Sequence, residues 1–456
     1  MFRTSAQRFL WAVLILLSLV AAACGSTTVT ADAPADGAAS SELGEDLPQD
    51  DVGPEEQDAP SEEEATTASE PTATTPEATG SEATESTVAP TTSTTTTSTT
   101  TTSTTTTSTT TTTTTTTAAP TGPVSAAVAC AAQVPLQQRV GQLMFPVMVQ
   151  SEFAVASDLA SQGLLGGVVL LGQPTAAVAN DISTYQSRSL YGPGIIAVDE
   201  EGGRVQRLSG LTSALPSAGT VGSTFSLDEA HQLAEDHARA IGELGFTMNL
   251  APVVDLNNGS FIGDRSFGAD PELVTNFAFA SAEGIIDAGL DPVLKHFPGH
   301  GRGIDSHTGL PTIPGVDVLR GSDLVPFAAA AERDDLPIMI GHLVVEGLTG
   351  DQPASVSNAA VNGLLRDELG FDGLVMTDAF NMDAIAATLN NAQAAELSIA
   401  AGVDLVMLGS LAATRDTVNF VVDAVNDGRI DELTISESFV RIMETRGIDP
   451  CGLPFE

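Results

Sequence analysis

The sequence predicts an α/β protein, a single (β/α)8 TIM-type barrel preceded by a signal peptide and a long disordered stalk. Three observations lead there. Eight short apolar runs bounded by Gly, Pro or polar residues recur through the last part of the chain. Most intervals between them are Ala- and Leu-rich with helical character, and near-continuous apolar strands alternating with helices indicate a parallel sheet covered by helices. Several runs also end in chemically useful groups, as they do where barrel strands converge on one mouth. An open doubly wound sheet satisfies the first two observations and stands as the structural alternative.

At the N-terminus, Arg3 and Arg8 precede an apolar run from Phe9 to Val20 that leads into Val20-Ala21-Ala22-Ala23-Cys24. This reads as an export signal over residues 1–23. Its ending resembles a bacterial lipobox, in which the cysteine is lipidated and becomes the mature first residue. The expected location is therefore the cell envelope, with a lipid anchor at Cys24 and the remaining chain extracytoplasmic.

Residues 24–123 form the expected stalk. From Gly25 to Pro123 there is no lysine, arginine, histidine or aromatic residue; an acidic part spans Asp32 to Glu85 and a pure Thr/Ser tract spans Thr91 to Thr117. Such a composition buries too little apolar surface to offset its ordering entropy. About 100 residues of plain coil have an end-to-end distance of roughly 50–60 Å. Much of the formal net charge of −42 lies in this segment, and the acidic balance argues against nucleic acid as a partner.

Residues 124–456, about 330 in all, suit one large domain or two small ones. The eight runs are QLMFPVM from Gln142, GGVVLLG from Gly166, IIAVDEE from Ile195, MNLAPVVDL from Met248, DPVLKHF from Asp291, PIMIGHLV from Pro337, LVMTDAF from Leu374 and DLVMLGS from Asp404. Among the helical intervals the clearest is Ser226 to Leu244, where Ser226 and Glu229 fit a capping box. The groups at run ends are Asp199, Asp255, Lys295-His296, His342 and Asp378. Cys130 and Cys451 lie near the two ends of the domain, and in an exported protein their pairing competes with two free thiols.

The stretch KHFPGHGRGIDSHTGLP holds the only lysine of the chain, Lys295, and three of its six histidines. Pro298-Gly299 breaks any helix that would place His296 and His300 as a metal pair, and there is no HExxH motif or cysteine cluster, so no metal is expected. Asp305 and His307, two apart in a loop, can face the same side, so that the carboxylate orients the imidazole as an acid/base dyad. A loop Asp and His solvated separately is the alternative reading. With no GxSxG elbow, P-loop or GxGxxG present, the available nucleophile is a carboxylate, and Asp378 sits where the barrel rule places one.

KHFPGHG followed by DSH and LP resembles the signature of family 3 glycoside hydrolases, specifically the bacterial β-N-acetylglucosaminidase branch. The similarity runs from about Val134 to Val440 and includes VDEEGGRVQRL, NLAPVVDLN, GDRSFG, LLRDELGFDG and TDAFNM. The resemblance implies that Asp378 is the nucleophile, His307 the general acid/base and Asp305 its partner. It also implies that Asp199, Arg207, Arg265, Lys295 and His296 bind the sugar. The implied activity is retaining, exo-acting removal of terminal N-acetylglucosamine from peptidoglycan-derived or related glycans without cofactor, and a monomer is the expected state. Only Arg302-Gly303-Ile304 separate KHFPGHG from the DSH dyad, where the resemblance implies a loop about one residue longer. A phosphorylase of the same family, and a wall-binding lipoprotein with weakened catalysis, are the rival readings. The only tryptophan, Trp11, lies in the signal, so no aromatic side module for sugar binding is expected.

Overall fold

A computed structural model describes residues 125–453, apart from 260 and 334. The export signal, the lipidation at Cys24 and the stalk lie outside the described residues.

The observed fold is α/β with parallel sheets. Five parallel strands stand side by side in the order β1 (Val147–Met148), β2 (Gly167–Leu170), β3 (Ile195–Val198), β6 (Met248–Asn249), β7 (Asp291–Pro292). Between β3 and β6 the chain makes an antiparallel hairpin of β4 (Glu200–Gly202) and β5 (Val205–Gln206). A second parallel sheet has the order β12 (Val375–Thr377), β10 (Ile338–Ile340), β8 (Leu294–Phe297), and a small pair joins β9 (Thr312–Ile313) to β11 (Val344–Val345). Bridges Val253–Lys295, Met376–Leu405 and Met144–Val406 continue the parallel pairing beyond these strands.

The sequence dictates this arrangement through its apolar runs. β2, β3 and β8 are buried at every position, as expected for strands covered on both faces. Helices fill the intervals: Phe153–Ser161 follows β1, Val178–Arg188 follows β2 and Leu227–Glu243 follows the hairpin. The last of these starts with the expected capping box: the Glu229 N–H donates to Ser226 Oγ at 3.3 Å and the Ser226 N–H to Glu229 Oε2 at 2.8 Å. Asp270 likewise caps the helix Pro271–Asp287, whose first turn holds the proline that helix starts tolerate.

Seven of the eight apolar runs contain a ladder strand. DLVMLGS instead contributes only the bridges at Leu405 and Val406. The reason is local: the Met407 N–H donates to Thr377 Oγ1 at 2.9 Å, so a hydroxyl takes the place of a ladder carbonyl. DPVLKHF is split into β7 and β8, the first pairing with β6 and the second with β10.

Asp404, at the start of the eighth run, is fully buried. Its carboxylate accepts from Arg366 Nη2 at 2.8 Å, Arg441 Nε at 2.9 Å, Ser438 Oγ at 2.8 Å and the Val375 N–H at 2.9 Å. It therefore joins two helices to the starting end of β12. Cys130 and Cys451 are disulfide-bonded, with Cα atoms 5.1 Å apart, and this bond links the first described helix to the last described turn.

Candidate active site

Because the strands are parallel, the residues that follow them gather at one edge of the sheets. Asp199 follows β3, Asp255 lies at the end of the run from Met248, His342 follows β10 and Asp378 follows β12, while Lys295 and His296 lie within β8.

Lys295 is the centre of a cluster of four charges. Its Nζ lies 2.5 Å from Asp199 Oδ1 and 2.7 Å from Glu201 Oε1. Glu201 also accepts from Arg265, at 2.7 Å to Nε and 2.8 Å to Nη2. Burial alone would neutralise the ammonium, but Asp199 and Glu201 more than offset this and hold its pKa above the ordinary lysine value. Glu201 is pushed the other way: burial opposes ionisation, and Lys295 and Arg265 overcome it, leaving the carboxyl far below the usual range. Two cations and two anions thus balance in a buried site, each with a hydrogen-bonded partner.

His296 is oriented by Asp255, whose Oδ2 lies 2.7 Å from the ring Nδ1. Asp255 Oδ1 accepts from the backbone N–H groups of His296, at 3.2 Å, and His300, at 2.6 Å. These bonds and the neighbouring imidazoles outweigh burial and keep Asp255 below its ordinary pKa. The Nε2 of His296 is left facing Asp378 Oδ2 at 3.9 Å.

Asp378 accepts the Ala379 N–H through Oδ1 at 2.8 Å, and its side chain is 15% exposed. Burial raises its pKa, but His296, His342, the Ala379 amide and Lys295 together lower it further than burial raises it. The group is therefore an ionised carboxylate with one oxygen held and the other free of any short hydrogen bond. His342 supports it from behind: its Nε2–H donates to the Ala379 carbonyl at 3.1 Å, and Ser355 Oγ donates to Nδ1 at 2.7 Å. Burial lowers the pKa of His342, consistent with this neutral tautomer.

Asp305 and His307 form a pair. The Asp305 Oδ1 is 3.0 Å from His307 Nδ1 and also accepts the His307 N–H at 3.0 Å. The imidazole is 70% exposed. Burial raises the Asp305 pKa, and the bonds from His307, with the charges of His307 and His300, together bring it below the ordinary value. Between the two, Ser306 is buried and anchors the loop in two directions. Its Oγ lies 3.1 Å from His300 Nε2, and its carbonyl accepts the Ala384 N–H at 3.0 Å, in the segment just beyond Asp378. No direct contact joins His307 to Asp378 among the described residues.

Arg207 is not drawn into the carboxylate cluster. Its Nε is buried without a hydrogen-bond partner. A groove of about 640 Å³ opens elsewhere, beyond β1 and β2, lined by Val149, Phe153, Leu171 and Pro174 among others, and contains none of the candidate residues.

Sequence reasoning undervalued Glu201, Asp255 and Ser306. Glu201 reads as a loop acid beside Asp199, yet it carries two cations. Asp255 was visible as a strand-end acid, which was the signal available for it. Ser306 offers no signal, since only its burial between half-buried Asp305 and exposed His307 distinguishes it.

Residues 135–445 match the glycosyl hydrolase family 3 N-terminal domain. Over 356 residues the chain is 38% identical to the beta-hexosaminidase LpqI of Mycobacterium tuberculosis, covering 73% of this chain and 91% of that protein. It is 34% identical over 275 residues to a beta-hexosaminidase of Xylella fastidiosa, covering 58% of this chain and 82% of that one. Among solved structures, M. tuberculosis LpqI superposes with a TM-score of 0.66 at 35% identity, over 72% of this chain and 98% of that one. A family 3 beta-N-acetylglucosaminidase from Paenibacillus superposes with a TM-score of 0.65 at 32% identity, over 69% of this chain and 62% of that one. With the parallel α/β fold and the carboxylate-rich strand ends, these matches show that the chain belongs to glycosyl hydrolase family 3.

Proposed function

We propose that this glycoside hydrolase is a retaining exo-β-N-acetylglucosaminidase in which Asp378 is the nucleophile and His307 the general acid/base. The observation that carries the reading is Asp378: a carboxylate kept ionised in a buried setting, with Oδ1 held by the Ala379 amide and Oδ2 free. The beta-hexosaminidase relatives and the beta-N-acetylglucosaminidase neighbour supply the sugar.

In this reading each group has a step. Asp378 Oδ2 attacks the anomeric carbon while the glycosidic C–O bond breaks, and the leaving oxygen takes the proton from His307 Nε2, since Nδ1 is held by Asp305. In the second step His307 Nε2 removes a proton from water. The water oxygen bonds to the anomeric carbon, the bond to Asp378 breaks, and the configuration is retained. Asp199, Arg207, Arg265, Lys295 and His296 are read as sugar contacts. The Asp199–Lys295–Glu201–Arg265 cluster presents donors and acceptors whose orientations are already set, which lowers the ordering cost of binding a polyhydroxy ligand.

The architectural reading is one closed (β/α)8 barrel, supported by the bridges at Val253–Lys295, Met376–Leu405 and Met144–Val406 at the sheet edges. The envelope reading is a monomer anchored through a lipid at Cys24 and raised on the stalk of residues 24–123, acting on peptidoglycan-derived glycans. Its support is the lipobox-like ending and the composition of that segment.

The test is the Asp378→Asn variant with a 2-fluoro-sugar trap. The variant should fold, turn over a chromogenic N-acetylglucosaminide at least about 10³-fold more slowly, and take up no label. In the wild type the label should map to Asp378. Label on another residue, or near-normal turnover by the variant, would refute the assignment. Unchanged products on adding phosphate should distinguish hydrolysis from phosphorolysis.

A further inference from the structure

The hairpin of β4 and β5 carries Glu201 and leads into Arg207, and it hangs from a buried carboxylate that the reaction does not use. The Glu200 side chain is fully buried. Its Oε1 accepts the Leu208 N–H at 2.6 Å, and its Oε2 accepts from His237 Nε2 at 2.8 Å. The backbone of Glu200 is fixed by Asn249, with Oδ1 accepting and Nδ2 donating, each at 3.1 Å. His237 projects from the helix Leu227–Glu243, so one carboxylate spans from an outer helix to the far end of the hairpin. Glu200, His237 and Asn249 border an internal cavity of about 50 Å³ that Glu201 and Arg265 also line.

The amide that Glu200 holds is the one immediately after Arg207. Fixing that peptide plane fixes the Cα–Cβ direction of Arg207. This matters because Arg207 keeps a buried Nε with no partner, an arrangement that costs free energy and persists only where the surroundings impose it. The carboxylate of Glu201, on the same hairpin, is already taken by Lys295 and Arg265. We propose that Glu200 and His237 are a positioning pair that holds Arg207 unpaired and available to the sugar, and so sets how tightly the ground-state sugar binds. The proposal rests on the reading of Arg207 as a sugar contact.

The experiment compares Arg207→Ala, His237→Leu, His237→Gln and the Arg207→Ala/His237→Leu double variant on 4-nitrophenyl N-acetyl-β-glucosaminide. His237→Leu should raise KM about tenfold with kcat within about threefold, a pattern of lost ground-state binding. His237→Gln, which can still donate to Glu200, should recover most of that loss. The double variant should have the KM of Arg207→Ala alone, because both changes remove the same interaction. If Arg207→Ala raises KM but His237→Leu does not, or if the two effects multiply, the positioning pair is overturned while the sugar reading of Arg207 stands. If Arg207→Ala leaves KM unchanged, that reading fails and the proposal fails with it. Should His237→Leu not fold, Glu200→Gln replaces it with the same expected rise in KM, and an unchanged KM overturns the proposal.

Discussion

Among individual residues, the lone lysine shows how composition becomes chemistry. Lys295 is buried, yet it stays charged because Asp199 and Glu201 lie within hydrogen-bond reach. Replacing Glu201 by Gln leaves Lys295 and Arg265 short of one anion in a buried site, and the expected cost is about 3–5 kcal/mol, read from a urea unfolding midpoint. His300 makes a second prediction. Burial, reinforced by His296, pushes its pKa down from 6.5 to about 4. Between those values the unfolded chain binds a proton that the folded ring refuses, so stability rises with pH through that window. The full effect is roughly 3 kcal/mol at ~1.4 kcal/mol per unit. His300→Gln should flatten the difference in stability between pH 4.5 and pH 7, and an unchanged slope would assign the titration elsewhere. Below about pH 4 the depressed carboxylates Asp378, Asp255 and Glu201 take over, since their contribution is present above the unfolded pKa and is lost as pH falls through the folded one.

At the scale of elements, residues at opposite ends of the strands play different parts. Asp404 meets Arg366, Arg441, Ser438 and the Val375 amide at the starting ends, away from Asp378. Asp404→Ala leaves two partly buried guanidinium groups without their anion, so a loss of about 3–5 kcal/mol is expected. The kcat of the molecules that remain folded should be unchanged, and activity normalised to folded fraction checks this. The helix at Leu227–Glu243 and most strand positions were legible in the sequence because capping and burial are short-range signals. DLVMLGS was only half legible. Its apolar pattern is a strand's, but the hydroxyl of Thr377, thirty positions earlier, takes the Met407 N–H. The Asp305–His307 pair was legible from spacing, whereas its anchoring through Ser306 to His300 and Ala384 depends on partners that no local pattern identifies.

In the whole molecule, the Cys130–Cys451 bond closes 321 residues of sequence separation. In the chain-entropy view a cross-link of that span stabilises by about 6 kcal/mol. Reduction, or Cys451→Ser, should lower the denaturant midpoint while leaving kcat nearly unchanged, because the bond joins the two ends of the described residues and touches none of the candidate catalytic side chains. Loss of kcat without loss of stability would count against that separation of roles.

By itself, the sequence determined the eight apolar runs and the placing of carboxylates and imidazoles at their ends, because burial and turn chemistry act over a few residues. It also marked Lys295 as exceptional. Only the tertiary structure decided which of those groups share charge. Glu201 as the common anion of Lys295 and Arg265, Asp255 as the holder of His296, and Glu200 as the partner of His237 are pairings across tens of residues. A carboxylate's role depends on which cation or amide is folded against it, and that is a property of distance in space rather than of order along the chain.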